Sequence, residues 1–177
     1  MAQNSDNIAI VRPVVNGAAW VADTSATTPT SASAALTGFS SLGWLDSTGI
    51  TMTVNKDTQQ LIGFGGDVAL TLTASHDIEF KFKPMEWNDV VAAELFGKGA
   101  TAENVEINAD ELPVRQYVFD MRGRNNTLIR VVVPNCQLTS FGDFAFKHDE
   151  PMAAEFTLKA LPDASGNKVY IYKAQAA

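Results

Sequence analysis

The chain has 177 residues, and its 20 acidic against 13 basic side chains give a formal charge of −7 at neutral pH. That balance excludes a general nucleic-acid binder, which needs clustered Lys and Arg on one face, and it disfavours an anionic membrane surface. A hydrophobic content of 46% with 10 Phe, 3 Trp and 3 Tyr suffices for one core, whereas a charged fraction of only 19% leaves an uncharged surface suited to burial against neighbours.

Cys136 is the only cysteine, so neither an internal disulfide nor a multi-cysteine metal site is available. No apolar run approaches the ~20 residues of a membrane span. The start MAQNSDN lacks the basic and apolar regions of a secretory signal, so the chain is expected to be made and kept in a cytoplasm without membrane insertion.

In chain order, residues 1–7 read as a polar N-terminal arm. Residues 8–15 (IAIVRPVV) are β-branched, with Pro13 marking a sheet edge or a strand end. Residues 22–41 hold five Ala, five Thr and five Ser, a low-complexity excursion with little to bury beyond Leu36 and Phe39. Residues 50–54 alternate as a strand, and Lys56-Asp57-Thr58 reads as a turn. After residues 59–64 and the punctuation Gly65-Gly66-Asp67, alternation runs through Val68, Leu70 and Leu72 and resumes at Ile78, Phe80 and Phe82, predicting a long strand or a bent pair.

One segment departs from this habit. Trp87, Val91 and Leu95 are spaced i, i+4, i+8, with Asn88 as a cap and Gly97 as a stop, which predicts a short helix. Val105 and Ile107 suggest a short strand. The run from Pro113 to Met121, the turn Gly123-Arg124-Asn125-Asn126 and residues 128–133 form the clearest hairpin, with Pro134-Asn135 as its expected end. Further strands are expected over 136–147, with Gly142 as a bend, over 152–161 and over 169–172. The sum is a mainly β protein, a β-sandwich or open barrel of roughly ten strands with one flanking α-helix.

Chemistry-bearing clusters are scarce. His76 and His148 lack partners at ligand spacing. His148-Asp149-Glu150 sits in a Pro-ended turn and reads as a solvated tip rather than an acid–base pair. Cys136 alternates with Leu138 and reads as a core residue, not a nucleophile. The glycines of Gly63-Phe64-Gly65-Gly66 are followed by strand rather than a helix N-terminus, so they form a loop and not a phosphate cradle. Asp110-Glu111 lacks the further oxygen ligands of a calcium loop. The expectation is a non-enzyme with no catalytic residue, no metal and no cofactor. Trp20, Trp44 and Trp87 each read as core residues, although interfaces also favour Trp.

The order Pro29-Thr30, Ala35-Leu36, Phe39, Leu42-Gly43-Trp44, Gly49-Ile50, Lys56-Asp57-Thr58 and Gly65-Gly66-Asp67 resembles the N-terminal half of the major tail proteins of long-tailed, non-contractile (siphovirus-type) bacteriophages, especially those of actinobacterial phages. Glu111-Leu112-Pro113, Tyr117-Val118-Phe119-Asp120-Met121, Ile129-Arg130-Val131-Val132-Val133-Pro134 and Ala160-Leu161-Pro162-Asp163 extend the resemblance over nearly the whole chain.

The resemblance implies a tail-tube fold over residues 8–177, similar to the tube protein of contractile secretion systems. It implies a subunit that joins in homohexameric rings, which stack into a hollow tube around the tape-measure protein and later conduct DNA without binding it specifically. Further implied partners are the tail-terminator and distal tail proteins and a tail assembly chaperone. The implied location is the virion tail, assembled in the host bacterial cytoplasm. The arm and a stacking loop at about 46–67 are implied to bridge rings, with Asp57, Thr58, Leu61, Phe64, Gly65, Gly66 and Asp67 as candidate stacking residues. The glycines beside apolar Leu61, Ile62 and Phe64 suggest a segment that orders only against a neighbour. The negative charge suggests a lumen along which DNA slides. The alternatives are a ligand- or carbohydrate-binding β-sandwich using the three Trp, and another virion structural protein of the baseplate or decoration type.

Overall fold

The structure is a computed structural model that describes residues 10–14, 17–97 and 99–175. The arm expected over 1–7 lies outside the described residues. Nine strands and one helix follow one another as β1 (Val11–Pro13), β2 (Ala19–Asp23), β3 (Ser40–Ser41), β4 (Leu45–Ile62), β5 (Val68–Pro84), α1 (Asp89–Phe96), β6 (Arg115–Gly123), β7 (Thr127–Phe141), β8 (Phe156–Leu161) and β9 (Tyr170–Gln175).

All nine strands belong to one antiparallel sheet, ordered β3-β2-β6-β7-β8-β5-β4, with β1 added to β6 and β9 to β7. The sheet curls over its own apolar face. Two strands separate β5 from β6 in that order, yet Phe80 and Phe82 of β5 each lie 5.3 Å from Phe119 of β6, ring centre to ring centre. Phe156 of β8 joins them 5.4 Å from Phe82. Burying each such ring stabilises the fold by about 1.5–3 kcal/mol, and the rolled sheet matches the mainly β, open-barrel architecture expected from the sequence.

The helix closes one end of this core. Asn88 Oδ1 accepts from Val91 N at 2.9 Å, and Gly97 ends the helix at φ 91°. Both caps are the residues the spacing predicted. Val91 and Leu95 enter the core, while Trp87 packs on Phe96 and Phe144 and donates its indole N–H to Ala102 O at 2.9 Å. Cys136 is fully buried, and burial drives its thiol pKa far up, as befits an inert core residue.

Several local expectations change. Lys56-Asp57-Thr58 is not a turn but lies inside β4, where the register against β5 shifts. Pro134-Asn135 does not end β7, because the ladder with β6 carries a bulge there: Tyr117 pairs with Val133 but Arg115 with Cys136. A proline without an N–H fits at such a bulge. Residues 105–107 form no strand, and Ile107 is exposed. The short β2 escapes a pattern reading because three of its five residues are Ala and Asp.

The low-complexity excursion is narrower than its composition suggested, since Ala22 and Asp23 belong to β2 and residues 40–41 to β3. Its remainder is pinned to the sheet by two buried polar residues. Gln116 donates from Nε2 to Asp23 O, Thr24 O and Ala26 O at 3.4, 3.3 and 2.7 Å, and accepts from Thr28 Oγ1 at 3.0 Å. Arg130 pairs with Asp120 through two bonds of 2.6 and 2.8 Å and donates to Ser31 O and Ala34 O at 3.3 and 2.6 Å. Backbone carbonyls that no strand satisfies are thereby paired.

Candidate functional site

Two features stand apart from this body, and both lie on β4. Its 18 residues end the sheet, so one edge pairs with β5 and the other with no described strand. Such a long open edge is a ready template for another chain. From about Asp57 onward, β4 and β5 leave the core and continue as a two-stranded ribbon exposed on both faces.

Cross-strand partners share a face, so the register assigns the sides of this ribbon. In the body, Ile50, Met52 and Val54 lie on the same side as Phe82, Phe80 and Ile78, with Ile50 packed against the core and Met52 and Val54 already exposed, while Thr51, Thr53 and Asn55 share the outer face with Lys81, Glu79 and Asp77. Asp57 pairs with Ser75 but Thr58 with Thr73, which leaves Ala74 as an extra residue on β5. Beyond that bulge the apolar side changes. Leu61 with Leu70, and Gln59 with Leu72, lie on the continuation of the outer face, whereas Thr58, Gln60, Thr71 and Thr73 continue the core side. The extra residue puts Leu72 and Leu70 of β5 out of phase with Ile78, Phe80 and Phe82, whereas β4 keeps its alternation and brings Leu61 to the outer face by its sequence.

The tip is a turn over residues 63–67, closed by Gly63 N to Asp67 O at 2.8 Å and Gly66 N to Gly63 O at 3.0 Å. Gly66 has φ 87°, a conformation that a β-carbon would strain. Phe64 is fully exposed, and Leu61 is 60% exposed. The segment 46–67 is therefore strand and tight turn rather than loop. Of the candidate residues, Asp57, Thr58 and Leu61 lie in the ribbon and Phe64, Gly65, Gly66 and Asp67 in its turn.

At the opposite end of β4 lies a cleft of 800 Å³ whose apolar lining includes Val11, Pro13, Trp44, Leu45, Ile50 and Met121. Trp44 is 76% exposed, contrary to its expected core position. The cause is local. Gly43 has φ 81°, Trp44 N donates to Glu86 Oε1 at 2.9 Å, and Met85 N donates to Trp44 O at 2.7 Å, so the backbone is held with the indole outward. The three Trp occupy separate surroundings and make no common platform, since Trp87 packs on Phe96 and Phe144 and Trp20 lies on β2.

The titratable groups with shifted pKa in the interior serve packing. Glu94 of α1 is 7% exposed, accepts from Tyr117 Oη at 2.6 Å and lies 3.2 Å from Arg115 Nε. Burial raises its carboxyl to about 7, against the lowering effect of the Tyr117 hydrogen bond. Burial and the neighbouring Glu94 push Tyr117 well up. Neither residue lines the cleft, and together they tie α1 to β6. His148, Asp149 and Glu150 are exposed, with Lys147 Nζ on Glu150 at 3.1 Å. Among the described residues no group of three or more His, Cys, Asp or Glu is placed to hold a metal, and no helix is long and apolar enough to cross a membrane.

No family model and no curated protein matches the chain. Among solved structures, it is similar to the tube-terminating cap of the anti-feeding prophage, at 16% identity and a TM-score of 0.46, covering 98% of this chain and 100% of that one. It is also similar to a chain of the sheath–tube complex of the extracellular contractile injection system PVC in its extended state, at 11% identity and a TM-score of 0.46, again covering 98% and 100%.

Proposed function

We propose that this protein is a structural subunit of a phage tail tube, which associates with its own copies in homohexameric rings that stack into a hollow tube. The observation that carries this reading is β4: an 18-residue edge strand with no described strand along one side, leading into a ribbon whose apolar residues have no cover among the described residues. Open edges and exposed apolar ribbons are liabilities for a solitary subunit and assets for one that meets copies of itself. The resemblance of the sequence to siphovirus-type major tail proteins supplies the form of the assembly. On that basis the tube surrounds a tape-measure protein, is bounded by tail-terminator and distal tail proteins, is assembled with a tail assembly chaperone in the host bacterial cytoplasm, and conducts DNA during ejection without catalysis. The segment 57–67 serves in ring stacking.

Electron microscopy of concentrated purified protein tests the reading, with tubes or six-fold rings as the expected outcome. A persistent monomer under all conditions would overturn it. Amide exchange adds a finer test: residues 57–67 gain protection on assembly, and equal protection in free subunit and tube would remove their stacking role.

A further inference from the structure

We infer that the tip of the β4–β5 ribbon of one copy docks into the Trp44 cleft of a second copy. The inference rests on the self-assembly reading above and specifies its contact. The donor surface is Leu61, Leu70 and Leu72 on one face of the ribbon with Phe64 at the turn, all at least half exposed. The acceptor is the 800 Å³ cleft floored by Leu45, Ile50 and Met121 and walled by the outward Trp44. That volume lies in the range of pockets that bury compact apolar groups.

The two surfaces cannot meet within one chain. Ile50 lines the cleft and Ile62 ends β4 at the tip, so twelve residues of paired strand hold them roughly 40 Å apart at ~3.3 Å per residue. A projection at one end of a strand and a receptor at the other make a heterologous contact, which propagates head to tail rather than closing on a pair.

Charge favours the same match. Asp67 is the only charged residue between Leu61 and Leu72. Among the described residues Arg12 is the only cation lining the cleft, while the acids beside it already accept backbone N–H groups, Glu86 from Trp44 and Asp46 from Thr48. With the apolar tip seated, Asp67 meets Arg12 at the rim, where opposite charges set orientation and encounter.

Site-directed cross-linking of the full chain tests this. Arg12→Cys and Asp67→Cys proteins, each exposed at the new thiol and otherwise carrying only the buried Cys136, are mixed, concentrated and mildly oxidised. The expected result is a covalent dimer in roughly tenfold excess over a control mixture of Asp67→Cys with Asp149→Cys. Equal yields in the two mixtures would overturn the docking. In parallel, Arg12→Glu and Asp67→Arg each raise the concentration needed for assembly, and the double variant restores it; additive losses would count against the pair. Phe64→Ser raises that concentration by about tenfold or more.

Microscopy of the same samples separates the two levels. Tubes with no excess cross-link overturn the docking and leave the tube reading standing. An excess cross-link in assemblies that are not tubular supports the docking and overturns the tube. A wild-type chain that never associates overturns both.

Discussion

The excursion over 24–39 and the ribbon over 57–73 invert what their compositions suggest. The first is almost devoid of large apolar side chains, yet it is fastened to the sheet through Gln116 and Arg130. The second has strand-like alternation and a supply of Leu, Ile and Phe, yet nothing among the described residues covers it. Hydrophobic content indicates which segments require cover and leaves open whether the cover comes from the same chain. Polar segments, conversely, are fixed wherever a buried donor reaches their carbonyls.

The largest effect on this contrast comes from removing the arginine that fastens the excursion. Arg130→Ala leaves the largely buried Asp120 without its bidentate partner and frees Ser31 O and Ala34 O. A loss of about 3–5 kcal/mol in denaturant-unfolding stability is expected, with new proteolytic cleavage inside residues 24–39.

Next in size is the pH dependence that Glu94 confers on the body. Its folded pKa of about 7 lies above its ordinary 4.5, so between those values the folded state binds more protons than the unfolded one. That contribution is fully present below about 4.5, declines as pH rises to about 7 and is flat above it, a total on the order of 3 kcal/mol. Glu94→Gln, which still accepts from Tyr117, removes the slope in unfolding experiments across that window, and an unchanged slope would contradict the assignment.

Gln116→Leu follows, at about 2 kcal/mol, because it removes the side chain that ties residues 23–28 to β6. The smallest effect on the subunit belongs to the ribbon. Leu61→Ser with Leu70→Ser changes unfolding stability by no more than ~0.5 kcal/mol per site, since both residues are already in water. The same pair abolishes assembly. A large loss of subunit stability would mean that the ribbon is covered within its own chain.

Much of the architecture was legible because its signals are local. Asn88 and Gly97 bounded the helix, and Gly123 through Asn126 marked the β6–β7 turn, where Asn125 and Asn126 adopt φ 55° and 56°. The pins on the excursion were not legible: Gln116 lies 90 residues from Ala26 and Arg130 96 from Ala34. Trp44 was misplaced because residue type favours burial, while its orientation is set by Gly43 and by Glu86 some forty positions away. The sequence singles out residues over 57–67 as stacking candidates but does not show their ribbon geometry. The glycines suggested a loop, whereas the strand pairing of Thr58 through Ile62 extends almost to the turn. The cleft had no sequence signal, since its walls come from β1, the start of β4 and β6.

Ala74 gives one strand two duties. Because it alone displaces the register between the pairs Asp57–Ser75 and Thr58–Thr73, the even-numbered apolar residues of β5 are divided between two sides, with Phe82, Phe80 and Ile78 turned to the core and Leu72 and Leu70 turned away from it. A single unpaired alanine thus lets one strand serve the interior along one stretch and the surface along the next, with no change of residue type between them.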